Sequence, residues 1–189
     1  MNTKFKYDYY AYFGCFLDRK GFKNLLKSSE LRYIFYARHA LEAHSPLARF
    51  MFRLLRHYMS AKLQLSLPFR NIGMGFTIYH GSGIAVNDDA CLGNFVSIHN
   101  GVTIGGENRG KRKGAPVIGN QVWIGSNAVI VGNITIGNDV LIAPNAFVNF
   151  SVPDHSIVIG NPGVIKHSQW ATKDYIRSFP ETIKLTISE

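Results

Sequence analysis

Cysteine is nearly absent from this chain: Cys15 and Cys91 are the only two among 189 residues. That excludes a disulfide framework. Long apolar runs are missing too, and none approaches the roughly 18 residues of a membrane span. Charge is sparse, at 17% of residues against 46% hydrophobic, whereas a disordered chain would be polar and charge-rich. The N-terminus, MNTKFKYDYYAYFGCFLDRK, is basic but too polar and aromatic for a secretory signal. These absences leave a folded, cytoplasmic chain of one domain, or one domain with an appended subdomain.

Acidic residues are in short supply, and unevenly so. Residues 1–65 carry twelve Lys/Arg against four Asp/Glu, a net charge of +8, while residues 66–189 carry nine against eight. Fourteen of the 22 Phe/Tyr lie before residue 60. Such a segment suits nucleic acid, an anionic membrane surface or an acidic polymer, or simply solvated charge on helices packed by aromatics.

What the chain has in abundance is a repeat. From Ile72 an aliphatic residue recurs every six positions: Ile72, Ile78, Ile84; then, after a two-residue slip, Val86, Leu92, Ile98, Ile104. It resumes as Ile118, Ile124, Ile130, Ile136, Ile142 and Val148. Gly or Ala often follows, as at Gly73, Gly93, Gly119, Gly125, Gly137 and Ala143. A helix of period 3.6 cannot hold a six-residue stripe on one face. Three short strands per turn of a solenoid can, with the small residue permitting a tight corner. The expected fold is a parallel β-helix. Residues 105–116, GGENRGKRKGAP, interrupt it as an extruded loop. Residues 20–63 carry helical spacing, with Ser45-Pro46 as a cap and first helical residue. The expected organisation is a basic, aromatic helical segment over 1–65, a β-helix over 66–165 with loop 105–116, and a tail over 166–189 with a short helix at 168–178.

The pattern [aliphatic]-Gly-x-x-[small]-x resembles the hexapeptide-repeat acyltransferases, which fold as left-handed parallel β-helices. Within them, Tyr79-His80-Gly81-Ser82-Gly83-Ile84, Gly101-Val102-Thr103-Ile104-Gly105-Gly106, Val122-Trp123-Ile124-Gly125 and Gly160-Asn161-Pro162 resemble the serine O-acetyltransferase branch. The resemblance implies a homotrimer that uses acetyl-CoA in grooves between subunits; no metal is expected, because His80 and His99 alone do not make a ligand constellation. His80 matches the branch's general base, which must take a proton from a hydroxyl as it attacks the thioester. His99 lies near it as a weaker candidate.

Charged groups of that branch are missing here. Leu65, Tyr79 and Gly114-Ala115 stand where it has the aspartates and the Arg-His pair that orient the base and hold serine. This departure resembles the subset that acetylates sugar hydroxyls of capsular, exo- or O-antigen polysaccharide. A glycan or sugar precursor is therefore the expected acceptor, with Tyr79 and Asn87 as its contacts. Serine O-acetyltransferase is the alternative, and a non-catalytic β-helix scaffold or binding module the alternative of another class. By resemblance, Gly106, Ser126, Pro144 and Asn161 are expected to line the acetyl-CoA site. Arg109, Lys111, Arg112 and Lys113 would attract CoA phosphates, attract an acidic acceptor or lipid surface, or keep the loop solvated. No nucleic-acid module is present, so nucleic acid is not an expected partner. Contact with the inner membrane face through the basic segment is.

Overall fold

A computed structural model describes residues 2–18 and 21–176. Four helices come first: α1 (Thr3–Phe13), α2 (Phe22–Lys27), α3 (Ser29–Glu42) and α4 (Pro46–Leu63). Three begin on side-chain caps. Asn2, Ser28 and Ser45 accept from the backbone N–H of Phe5, Leu31 and Ala48, satisfying donors that a helix start leaves unpaired. Pro46 occupies the first turn of α4, as the Ser-Pro pair predicts.

The rest of the described chain is a parallel solenoid of about five turns with three faces. One face stacks β1 (Leu65–Ser66), β3 (Ile84–Val86), β6 (Thr103–Gly105), β9 (Val129–Val131) and β12 (Phe147–Val148). The second stacks β4 (Cys91–Leu92), β7 (Val117–Ile118) and β10 (Thr135–Ile136). The third stacks β2 (Thr77–Tyr79), β5 (Ser97–His99), β8 (Val122–Ile124), β11 (Val140–Ile142) and β13 (Ser156–Ile159), with β14 (Val164–His167) returning antiparallel to β13. The six-residue columns become inward columns. Ile78, Ile98, Ile124 and Ile142 lie in register on the third face, and Val86, Ile104, Ile130 and Val148 on the first. All eight are buried.

The glycine at a fixed phase is explained by stacking. At the corner between the second and third faces, a Cβ on Gly73, Gly93 or Gly119 would run into the backbone carbonyl of the corresponding glycine one turn on. The position after the corner glycine, which becomes Pro153-Asp154 in the last turn, adds a ladder: Asn94, Asn120, Asn138 and Asp154 each accept, through Oδ1, the N–H of Met74, Asn94, Asn120 and Asn138 in turn. Each corner thus satisfies the one before it.

The helices hold the free edge of β2. The Tyr12 hydroxyl donates to the Ile78 carbonyl and accepts from the Ile78 N–H, both at 2.7 Å. Asp8 Oδ1 accepts from the Phe76 N–H at 2.8 Å. Asp8 also pairs with Arg38 of α3 at 2.8 Å, and Arg38 donates to the Ile72 carbonyl at 2.8 Å. Both side chains are buried. At the other end the expected helix over 168–178 is not formed through Ile176: the chain runs in turns, and residues 177 and 178 lie outside the described residues. Asp139 organises those turns. It accepts from the Ala171 and Thr172 N–H groups, the Thr172 hydroxyl and His155 Nδ1. Burial opposes its charge, but these bonds prevail and hold its carboxyl below the usual carboxylate range.

Candidate active site

The corner between the third and first faces is where the repeat departs from its rhythm. Tyr79 aligns with His99, and Ala85 with Thr103. Five residues therefore span the corner from Tyr79 to Ala85, against three from His99 to Thr103. The two-residue slip in the hexads lies here, at His80 and its neighbours. β3 absorbs it by turning both Ile84 and Val86 inward around exposed Ala85.

His80 is exposed on this enlarged corner, in left-handed backbone with φ +54°. Such a φ is uncommon outside glycine and needs a surrounding that holds it. The hold comes from the helical segment: Glu30, in the first turn of α3, accepts the Gly81 N–H at 3.2 Å through Oε1. Its other oxygen accepts from Ser28 and Ser29 Oγ, each at 3.3 Å. Gly81 packs against Glu30 and Ile78 so closely that a Cβ there would meet both.

Behind His80 runs an aromatic row on the outer side of the third face. Tyr12, Tyr79, His99, Trp123 and Tyr175 have successive ring centroids 5.5, 5.3, 4.7 and 4.8 Å apart. The His80 and His99 rings are 6.3 Å apart. Burial lowers the His99 pKa from the ordinary histidine value, and the nearby His80 lowers it further. His99 is therefore held neutral near pH 7. Its Nε2 is buried without a hydrogen-bond partner among the described residues.

Other expected site residues divide between two corners. Ser126 and Pro144 stack on the His80 corner: the Asn127 N–H donates to the Asn100 carbonyl and the Asn145 N–H to the Ser126 carbonyl. Ser126 Oγ donates to Asn100 Oδ1 at 2.8 Å. Asn100 was missed, although it directly follows His99. Asn161, exposed and joined to Pro162 by a cis peptide, follows Gly160, whose carbonyl accepts from Phe147 N–H at the foot of that edge. Gly106 and Asn87, by contrast, lie across the first face, at its other corner. An added Cβ on Gly106 would sit 3.0 Å from Asn87 Nδ2. Asn87 Oδ1 is turned to its own loop, accepting the Asp89 N–H at 2.9 Å. Within this chain Asn87 and Gly106 are thus not beside His80. Tyr79 also departs from expectation: its ring stacks on His99 and packs against Tyr12, so it supports the corner rather than offering an open face to an acceptor.

The basic loop is a folded flap. Glu107 and Gly114 pair across its base, Arg112 Nε donates to Glu107 Oε2 at 3.1 Å, and the Arg112 carbonyl accepts the Asn133 N–H. Arg109, Lys111 and Lys113 are exposed. Among the described residues no group of three His, Cys, Asp or Glu is placed to hold a metal ion.

A six-residue parallel coil with a histidine lifted onto an enlarged corner defines a hexapeptide-repeat transferase, and residues 115–149 match the model of the bacterial transferase hexapeptide (six repeats). Serine acetyltransferase of Helicobacter pylori is 36% identical over 130 residues, covering 69% of this chain and 68% of its own. That of Staphylococcus xylosus is 37% identical over 119 residues, covering 63% of this chain and 54% of its own. The crystal structure of serine acetyltransferase in complex with coenzyme A from Brucella abortus superposes with a TM-score of 0.70 at 27% identity, covering 87% of this chain and 66% of that one. The chain belongs to the serine acetyltransferase family of hexapeptide-repeat enzymes, and its coil is their left-handed parallel β-helix. Across such relatives it spans 40–68% of their own length. These matches overturn the expected acceptor. The absence of charged groups at Leu65, Tyr79, Gly114 and Ala115 pointed to the sugar-acetylating subset, but the relatives are serine acetyltransferases.

Proposed function

We propose that this protein is an acetyl-CoA-dependent serine O-acetyltransferase in which His80 is the general base. The observation that carries the reading is His80 itself, exposed on the one enlarged corner of an otherwise regular coil edge and braced by Glu30. A neutral His80 imidazole takes the proton of the serine hydroxyl as its oxygen attacks the thioester carbonyl. The C–O bond forms, the C–S bond breaks, and the CoA sulfur leaves as the thiol once that proton is delivered to it. O-Acetylserine and CoA are the products. His99, neutral and stacked behind, keeps a second positive charge away from the protonated base.

Acetyl-CoA fits the edge below His80. Asn100, Ser126 and Pro144 are short side chains stacked at about 4.8 Å per turn, so a pantetheine arm can lie along the coil axis against them. Asn161 lies at the far end of that edge. Gly106 and Asn87, on the opposite corner, would join the site from a neighbouring subunit, which is what a homotrimer with sites between copies requires. Because Leu65, Tyr79, Gly114 and Ala115 carry no charge, the zwitterion is held by fewer ionic contacts, and a high KM for serine follows. The deciding experiment follows thiol release from acetyl-CoA with L-serine as acceptor. Serine-dependent release that falls about 10²–10⁴-fold in His80→Ala supports the reading; release that ignores serine, or survives the substitution, rejects it.

A further inference from the structure

Helix α4 leaves most of its surface uncovered among the described residues. Of its 18 residues only Met59 is buried. Phe52 packs toward Phe35 of α3, with ring centroids 6.0 Å apart, which fixes the inward side. Away from that contact Leu47, Phe50, Met51, Leu54, Leu55 and Tyr58 recur at helical spacing and are 36–70% exposed. The same helix carries Arg49, Arg53, Arg56 and Lys62 and no acidic residue. Arg53 and Arg56, with Arg70, line a groove of about 1070 Å³ between α4 and the start of the coil; Phe50 and Leu54 form part of its wall, and Asp88 is its acidic member.

We infer that α4 docks the protein in the plane of an anionic lipid surface, its apolar stripe in the headgroup–acyl boundary and its arginines on lipid phosphates. Charge complementarity selects this occupant. A second α4 packed symmetrically on this one would set cations against cations with no carboxylate on either helix. A soluble polyanion would match the arginines and leave six large apolar side chains in water. A bilayer surface answers both features, which is the pattern of interfacial amphipathic helices. The inference is one of docking, not spanning: no described helix is long and apolar enough to cross a membrane. It is independent of which hydroxyl is acetylated.

The test is co-sedimentation of the full chain with phosphatidylcholine vesicles and with mixed phosphatidylcholine–phosphatidylglycerol vesicles. Binding is expected to the mixed vesicles, weakening as salt is raised. F50S/L54S should lose at least about ten-fold in partitioning, and R53Q/R56Q about five-fold for each charge removed. L47S/Y58S serves as a second apolar pair, and an unchanged circular dichroism melt certifies each fold. No preference for the anionic vesicles would overturn the proposal. So would binding that F50S/L54S and L47S/Y58S leave intact, which would mark a purely ionic surface. A wild-type assembly that loses mass by light scattering in those variants would assign the stripe to a second copy and also overturn it.

Discussion

Two corners of the same coil behave in opposite ways. Between the second and third faces the middle turns repeat one device, glycine followed by a side-chain acceptor, at Gly93-Asn94, Gly119-Asn120 and Gly137-Asn138, with Met74 only donating at the first turn and Pro153-Asp154 closing the last. Between the third and first faces the lower turns are regular, but the first turn is longer by two residues and puts His80 into the left-handed region. Regular corners serve stacking, so any residue there is answerable to the turn beside it. The irregular corner is released from that demand and can present a side chain for chemistry, provided something outside the repeat braces it. Glu30 is that brace.

The contrast is sharpest in His80→Ala, which should lower kcat/KM by about 10²–10⁴-fold and leave the thermal midpoint within a degree or so of wild type, because the ring makes no hydrogen bond among the described residues. Steady-state kinetics beside a melting curve reads both. Gly119→Ala should do the reverse. Its Cβ would sit 2.6 Å from the Gly137 carbonyl oxygen, backbone that cannot step aside, so denaturant unfolding should show a loss of about 1–3 kcal/mol.

Asp139→Ala probes the end of the coil. It removes the acceptor of two N–H groups, a hydroxyl and His155, and stability should fall by about 1–3 kcal/mol. Because the folded carboxyl lies below its ordinary value, the wild type holds this advantage above the unfolded Asp pKa. The advantage is lost as pH falls through the folded pKa. Melts taken across acid pH should therefore converge for wild type and variant. Equal spacing of the two curves at every pH would show that Asp139 is not ionised in the fold.

Glu30→Ala should cost about two- to ten-fold in kcat, the scale of one hydrogen bond to the corner, with KM for acetyl-CoA unchanged. Glu30→Gln keeps the acceptor oxygen and should recover most of that loss; failure to recover would mean the negative charge matters. The smallest effect belongs to the flap. Arg109, Lys111 and Lys113 changed together to Ser should raise KM for acetyl-CoA about two-fold at low salt and not at physiological salt, where exposed charges are screened.

How much of this was visible beforehand depends on the length of chain each interaction bridges. The inward columns, the loop and the Ser45-Pro46 start are local patterns, and the spacing shows them directly. The slip between Ile84 and Val86 was visible as well, but only the strand register ties it to His80. Asn94, Asn120 and Asn138 of the ladder follow the glycines at one fixed place and were open to discovery by the same count, whereas Asp154 follows Pro153. Glu30 with Gly81, Tyr12 with Ile78 and Asp8 with Phe76 are separated by 51, 66 and 68 residues. No periodicity announces such pairs. Asn87 was grouped with the acceptor site by resemblance to the sugar-acetylating subset, yet the seven residues from His80 to Asn87 carry the chain across a whole face. The acceptor was misjudged for a different reason. The missing charges are real, but an absence excludes contacts without naming the substrate.

Tyr12 occupies the outward backbone groups of Ile78 in β2, Asp8 takes the N–H of Phe76 just ahead of it, and β14 folds back over β13 at the opposite end. A parallel solenoid left bare at both ends is a template on which further copies can add strand upon strand, the route to filaments. Here pieces of the same chain cover the first turn of the third face at one end and end the parallel stack with an antiparallel strand at the other. Loss of the Tyr12 hydroxyl would matter less to the enzyme's turnover than to its shelf life, because it would open one end of the coil to polymerisation.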